Sequence, residues 1–161
     1  MADFLFREPL DVLDPELSDL IRFETERQAR KLIMVPSESI APAAVHRALA
    51  SSFSHLYAEG YPDERTRHLT EDEILDYARE LGHFRRYSDP RYYKGVEYAD
   101  VLEALARRRI AEIFATSKMP ADKLYVNVQS LSGAPANTAI QYALMEPGDP
   151  LMSMALHVGG H

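Results

Sequence analysis

The stretch LYVNVQSLSGAPANTAIQYAL, from Leu124 to Leu144, contains two kinds of structural signal. LYVNV is a good strand sequence. Ser132-Gly133-Ala134-Pro135 then opens a segment whose apolar residues recur at helical spacing. EPGD is a turn, and PLMSMAL after it predicts a second strand. Strand, helix and strand in this order form a βαβ pattern, which requires a parallel sheet covered on both faces.

The sequence before this unit predicts helices. Asp14-Pro15 is an N-cap followed by proline at the first helical position, and this helix runs to about Leu32. Pro42 can start the next helix, although Ala41 occupies the position of the capping side chain. The fold class predicted from the whole order is α/β.

Two further helices are predicted in the middle of the chain. Thr70 and Glu73 match a capping box, and Gly82 is a natural stop for the short amphipathic helix that they begin. Another helix spans about Tyr98 to Thr116. Its predicted inward face consists of Leu102, Ala106, Ile110 and Ile113.

The composition is that of a soluble globular protein of about one domain. The 161 residues are 46% hydrophobic and carry a formal net charge of −7, which disfavours general binding to nucleic acid. The absence of cysteine excludes disulfides and thiolate chemistry. No apolar run resembles a secretory signal or a membrane span, so a cytoplasmic location is expected. The final LMSMALHVGGH and the two-strand sheet lead us to expect a chain that is cut short.

Several residues could carry chemistry. Ser132 and Gly133 stand at a predicted helix N-terminus, which can bind an anion, although on these residues alone a bare capping role for Ser132 is the favoured alternative. Glu59 lies between Tyr57 and Tyr61, where a desolvated carboxylate would suit proton transfer; the alternative is a surface glutamate beside packing tyrosines. Ser37, in the PSES turn, is either a ligand donor or a cap.

Two histidines near the end of the sequence are candidate metal ligands. His157 and His161 are four residues apart, but the Val-Gly-Gly between them argues against a helix, and no carboxylate lies at a ligand spacing. We therefore predict no metal site. Stacking of the His161 ring on a flat ligand is the better interpretation.

Six motifs then occur in a fixed order: PSES, LYAEGYP, RYYKGVEYADVLE, LSGAPAN, MEPGD and LHVGGH. Together they resemble the N-terminal portion of the serine hydroxymethyltransferase family, from Asp14 to His161. The resemblance implies a pyridoxal-phosphate enzyme of fold type I, in which residues 98–161 begin the cofactor-binding large domain. Residues 1–56 would form N-terminal arm helices, and residues 57–97 an interface and substrate loop with an inserted helix at about 70–82.

The resemblance implies roles for residues around the cofactor. Ser132, Gly133 and Ala134 match the phosphate cradle, and His161 matches the histidine stacked on the pyridine ring. Tyr57 would reach across a dimer interface to the cofactor phosphate of the neighbouring subunit.

It also implies roles around the substrates, which are serine or glycine and tetrahydrofolate. Glu59 would be the proton-transfer carboxylate that meets substrate and folate. The residues matched to substrate contacts are Ser37, Tyr92, Tyr93, Leu156 and Gly160, with Tyr92 also catalytic and the last two lining the folate pocket. A homodimer, or a dimer of dimers, with shared active sites is the implied assembly.

The sequence departs from the family pattern in several places. Residues 63–90 are inserted between EGYP and RYY, as a lid, as a device that alters the one-carbon acceptor, or as a neutral surface decoration. Ala134 replaces a serine and Pro135 a glutamine. The family's Schiff-base lysine, in a Thr-Thr-His-Lys stretch far downstream, has no counterpart here, so this chain alone is expected to be inactive.

Three alternatives to a hydroxymethyltransferase are left open by these departures. One is a pyridoxal-phosphate aldolase or transaldolase without folate dependence. Another is a non-catalytic partner subunit that lends Tyr57, Glu59 and Tyr92 to a second chain. The third is an interaction module that binds no pyridoxal phosphate.

Overall fold

The computed structural model describes residues 7–87 and 90–160. The chain divides into two compact units, Met1–Ser51 and Ser52–His161. His161, which the resemblance assigns to the cofactor, lies outside the described residues.

In the first unit, the structure describes the helices α1 (Leu10–Leu13), α2 (Pro15–Arg30) and α3 (Ala43–Leu49). The predicted start of α2 is confirmed, since Asp14 accepts a hydrogen bond from the Leu17 amide at 3.0 Å and Pro15 occupies the first position. None of these three helices buries a residue, so their apolar side chains form no core among residues 7–51.

The described residues of the second unit form the α-helices α4 (Glu71–Ile74), α5 (Tyr77–Tyr87), α6 (Glu97–Phe114) and α7 (Gly133–Leu144). Short 3₁₀ helices occur at Ser52–His55, Glu64–His68, Ala121–Lys123 and Leu156–Val158. The hydrophobic core of this unit is formed by Leu69, Ile74, Phe84, Val101 and Ala104.

The inserted segment therefore builds the core together with α6. Leu69, Ile74 and Phe84 come from the insert, whereas Val101 and Ala104 come from α6. Ion pairs reinforce the contact, among them Arg109 with Glu71 at 2.5 Å. The insert is therefore packed against α6 within this unit, while its role at the site stays a prediction.

The two predicted strands are absent, because residues 7–87 and 90–160 contain no β-strand. LYVNV and PLMSMAL are irregular segments on either side of α7. A strand exists only when its backbone groups bond to a neighbouring strand, and these two segments do not pair. The predicted βαβ arrangement is therefore not seen, although its helix is present as α7.

The helix predicted at about 70–82 is broken and then extended. The Thr70–Glu73 capping box is confirmed, but α4 ends at Ile74. The Asp76 carboxylate accepts from the Arg79 amide at 3.1 Å, and this local bond favours a new helix start over continuation of α4. Gly82 does not end α5, because burial of Leu81 and Phe84 on either side outweighs its cost of about 1 kcal/mol.

The predicted inward face of α6 is also wrong. Leu102 and Ile113 are 47% and 76% exposed, whereas Val101, Ala104 and Ala111 are buried. The helix carries apolar residues on two faces, and the insert covers the one that sequence periodicity did not select.

Candidate functional site: a tyrosine cluster around a buried arginine

Three tyrosines from two loops lie together beside the N-terminal part of α6. The ring centroids of Tyr57 and Tyr93 are 5.4 Å apart, and those of Tyr92 and Tyr93 are 4.9 Å apart with nearly perpendicular planes. These are favoured geometries for aromatic pairs. Residues 57 and 92–93 belong to separate motifs of the sequence, so the fold brings together the two tyrosine segments that the resemblance assigns to one site.

Glu59 belongs to the same cluster through its backbone. Its carbonyl accepts from the Tyr92 amide at 2.9 Å. Its side chain is exposed, so the desolvated glutamate expected from the sequence is not found in this chain. The reason is geometric, because no described element of this unit covers that side of the loop.

A buried arginine holds the two loops together. Arg91 is 2% exposed, and its guanidinium donates to Asp100 and Glu103 of α6, each at 2.6 Å. It also donates to the carbonyls of Ala58 at 2.6 Å and Gly60 at 3.1 Å. Burial disfavours its charge, but the bonds to Glu103 and Asp100 outweigh burial and raise the pKa of Arg91 above the ordinary arginine value.

A glutamine extends this network toward the start of α7. The Gln129 side-chain amide donates to the Gly60 carbonyl at 2.6 Å and to the Glu103 carboxylate at 2.9 Å. The Gln129 backbone amide is fixed in turn by the Asn127 side chain at 2.8 Å. The segment that leads into Ser132 is therefore anchored to the loop that carries Glu59.

A cleft of about 700 Å³ opens beside this network. Leu102 and Ala106 of α6 form part of its wall, and Tyr57, Glu59 and Arg91 contribute polar groups. A mostly apolar cleft with a few convergent polar groups is typical of a ligand site. The exposed face of α6 is thus one wall of this cleft.

The start of α7 has the features of an anion site. Ser132 is its N-cap with extended dihedrals, and its hydroxyl makes no capping hydrogen bond, so the capping alternative is not realised. A Cβ on Gly133 would meet no atom within 4 Å, which leaves its backbone open to a ligand. The amides of Gly133 and Ala134 have no carbonyl of their own helix to bond, whereas Pro135 has no amide hydrogen.

The other residues assigned by the resemblance belong to other segments of the chain. Ser37 follows α2 in the first unit, in a turn closed by the Glu38 amide and the Val35 carbonyl. Leu156 begins an exposed 3₁₀ helix. Gly160 is packed so that a Cβ would overlap the Met154 carbonyl. Their roles stay predictions, as do those of the tyrosines, Glu59 and Ser132.

Sequence reasoning did not single out Arg91, Asp100, Glu103 or Gln129. One feature of the sequence could have indicated Arg91 and Asp100. Asp100 stands beside Val101 on the buried face of α6, and a charged residue there needs a buried partner of opposite charge.

Within residues 7–87 and 90–160, no group of three or more His, Asp or Glu side chains is placed to hold a metal ion. In the same part of the chain, no helix is both long and apolar enough to cross a membrane.

Comparisons with known proteins agree with these motifs. The profile of the family described as serine hydroxymethyltransferase matches residues 10–88 and 83–161. The chain is 38% identical to a serine hydroxymethyltransferase of Kocuria rhizophila over all of its 161 residues. It is 35% identical to that of Acidothermus cellulolyticus over 94% of the chain, and 37% identical to that of Bifidobacterium longum subsp. infantis over 97%.

The chain belongs to the serine hydroxymethyltransferase family. It spans 30% of the length of the Kocuria relative and 28% of the other two. These matches fall in the N-terminal portion of the full-length enzymes.

Proposed function

We propose that this chain forms the N-terminal part of a pyridoxal-phosphate-dependent serine hydroxymethyltransferase of fold type I. The complete enzyme moves a one-carbon unit between serine and tetrahydrofolate in the cytoplasm and acts as a homodimer or dimer of dimers with shared sites. The observation that carries the proposal is the meeting of Tyr57, Glu59 and Tyr92–Tyr93, which belong to separate family motifs, around one buried arginine.

The residues at the start of α7 fit the phosphate of the cofactor. The free Ser132 hydroxyl and the amides of Gly133 and Ala134 are donors at a helix N-terminus, where the helix dipole favours an anion. Ala134 supplies no hydroxyl, so the backbone carries more of the binding. Bound pyridoxal phosphate supplies an electron sink for cleavage of the serine Cα–Cβ bond.

The tyrosines and Glu59 act on the substrate side. Tyr92 and Tyr93 orient the amino acid through an exposed aromatic wall that also carries two hydroxyl groups. The Glu59 carboxylate accepts the proton of the substrate hydroxyl while the one-carbon unit leaves. A partner subunit covers the Glu59 side chain, which is exposed in this chain.

A chimeric enzyme tests the proposal. This chain replaces the aligned N-terminal segment of the Kocuria rhizophila relative, to which it is 38% identical. Conversion of serine to glycine is then measured with and without tetrahydrofolate, together with the visible absorbance of bound pyridoxal phosphate. We expect cofactor binding, folate-dependent conversion, and loss of conversion in the Glu59→Gln chimera.

Each alternative gives a different result in the same assay. Serine cleavage without folate dependence indicates an aldolase. A folded chimera without cofactor absorbance contradicts the proposal and indicates an interaction module. The isolated chain, assayed in parallel, is expected to be inactive; recovery of conversion when it is mixed with a lysine-bearing partner chain indicates a non-catalytic subunit.

A further inference from the structure

The loop that carries Glu59 is fixed at three successive carbonyls. Arg91 donates to the carbonyls of Ala58 at 2.6 Å and Gly60 at 3.1 Å, and the Tyr92 amide donates to the Glu59 carbonyl at 2.9 Å. Because each peptide unit is planar, fixing the units on both sides of a residue also fixes the direction of its side chain. The arginine and its neighbour therefore set where the Glu59 side chain leaves the backbone.

The same guanidinium faces α6 with its other donors. Its Nε and Nη2 atoms donate to Asp100 and Glu103, each at 2.6 Å. An arginine has five donors in a rigid planar fork, whereas a lysine has three donors on one atom. A lysine at position 91 could keep a charge contact with α6, but it could not hold two carboxylates and two carbonyls in one plane. The contact set is therefore specific to arginine.

The position of Gly60 shows how closely the two loops approach. Gly60 has φ +107°, and a Cβ built there would lie 3.1 Å from the Arg91 Cα. Gly60 and Arg91, which flank the insert of residues 63–90, therefore lie next to each other in space. The insert does not displace Glu59, because Arg91, which follows the insert, binds the loop that precedes it.

We propose that Arg91 is the positioning residue of this site: its buried guanidinium fixes the Glu59 loop and couples that loop to the Tyr92–Tyr93 pair and to α6. Gln129 joins the same arrangement through Gly60 and Glu103. We call the contacts of Arg91 with Ala58, Gly60, Asp100 and Glu103 the Arg91 clamp. The catalytic part of this inference rests on the proposed function, whereas the clamp itself can be tested without activity.

Amide hydrogen exchange in the chain of 161 residues tests the clamp directly. The Tyr92 amide reports the bond to the Glu59 carbonyl, and amides of α4 and α5 report the core that the insert forms. In Arg91→Lys we expect exchange at Tyr92 to rise at least about tenfold, because the charged donors that hold the neighbouring Ala58 and Gly60 carbonyls are lost. Exchange in α4 and α5 should stay within about twofold of the parent.

Arg65→Lys is the matched control. The Arg65 guanidinium makes a two-point contact with the buried Glu80 carboxylate at 2.6 and 3.0 Å, but it lies within the insert. We expect this variant to raise exchange in α5 and to leave Tyr92 unchanged. Equal exchange at Tyr92 in Arg91→Lys and the parent overturns the proposal. A rise of similar size at Tyr92 and in the core also overturns it, since that pattern shows general destabilisation.

A second variant covers the case in which Arg91→Lys does not fold, as judged by circular dichroism. Glu103→Gln keeps the side-chain shape and removes one charged partner of Arg91. It should raise exchange at Tyr92 by a smaller factor than Arg91→Lys and leave the core of the insert unchanged. If Glu103→Gln folds and the Tyr92 amide exchanges as in the parent, the clamp is rejected.

Kinetics in the chimera separate the clamp from the proposed function. If both hold, Arg91→Lys lowers kcat for serine cleavage by at least about tenfold and leaves KM for serine within about twofold, because Glu59 is displaced while the tyrosine wall is kept. A positive exchange result in a chimera without activity keeps the clamp and refutes the proposed function. If a variant shows faster exchange of the Tyr92 amide but the kcat of the parent, the Arg91 clamp does not position Glu59 for catalysis.

Discussion

Replacing one isoleucine in the insert should destabilise the second unit strongly, whereas the same change on the open face of α6 should not. Ile74 is 1% exposed and lies in the cluster with Leu69, Phe84, Val101 and Ala104. Ile113 is 76% exposed. Both residues are helical and both become alanine, so the change in helix propensity is similar and the two variants differ mainly in burial.

The expected magnitudes follow from burial. Ile74→Ala removes three buried carbon atoms and leaves a cavity, at a cost of about 2–5 kcal/mol. A domain has roughly 5–15 kcal/mol of stability in total, so this loss is a large fraction of it. Ile113→Ala should change the free energy of unfolding by less than about 0.5 kcal/mol. With a urea dependence of about 1–3 kcal/mol per molar, the midpoint of Ile74→Ala falls by roughly 1 M or more.

Urea unfolding followed by circular dichroism at 222 nm measures both variants. The sequence has nine tyrosines and no tryptophan, so tyrosine fluorescence is a second probe. The measurement is repeated at two protein concentrations tenfold apart, because self-association would bury Ile113. Equal losses in the two variants at both concentrations would refute the reasoning that the insert and α6 share the core.

Three smaller predictions use the same assay. Thr70→Ala removes the acceptor for the Glu73 amide and should cost about 1 kcal/mol, whereas Thr70→Ser keeps the hydroxyl and should cost little. Gly60 and Gly95 both have positive φ, so replacing either by alanine should cost roughly 1–3 kcal/mol of backbone strain. Gly60→Ala should cost more than Gly95→Ala, because of the two positions only Gly60 would bring the new Cβ against a backbone atom. The pKa of Asp63 is lowered by the Arg65 amide, that of Glu71 by the Arg109 side chain and that of Glu73 by the Thr70 amide. A carboxylate whose folded-state pKa lies below its unfolded value contributes stability above about pH 4.5, and this contribution is lost as pH falls through the lowered pKa. Acid should therefore lower the stability of the insert, and Glu73→Gln should reduce that pH dependence.

The sequence predicted correctly the features that depend on contacts between near neighbours in the chain. The N-cap at Asp14 and the capping box at Thr70–Glu73 involve residues three apart, and both are present in the structure. Gly82 failed as a stop because distant contacts of Leu81 and Phe84 hold α5 together. The strands failed for the same kind of reason, since a strand needs partners that the sequence of one segment cannot specify.

The candidate site shows the same division. The two tyrosine segments were expected to lie together because they resemble motifs of one family, and their rings do meet. Arg91 was missed, since its partners Ala58, Gly60 and Asp100 are scattered along the sequence and two of the contacts are to backbone carbonyls. Contacts to backbone leave no trace in residue types, and so no pattern of side chains could have indicated them.

The two faces of α6 explain how an insertion can coexist with a site. One face buries Val101 and Ala104 against the insert, and the other carries Leu102 and Ala106 into the cleft. Asp100, on the buried face, and the partly buried Glu103 hold Arg91. A change in the insert can therefore reach Glu59 through a shift of α6 that moves the Arg91 clamp. Variants that loosen the core without moving Asp100 or Glu103 should lower stability and leave the Tyr92 amide protected, which makes the geometry of the site separable from the stability of the unit that carries it.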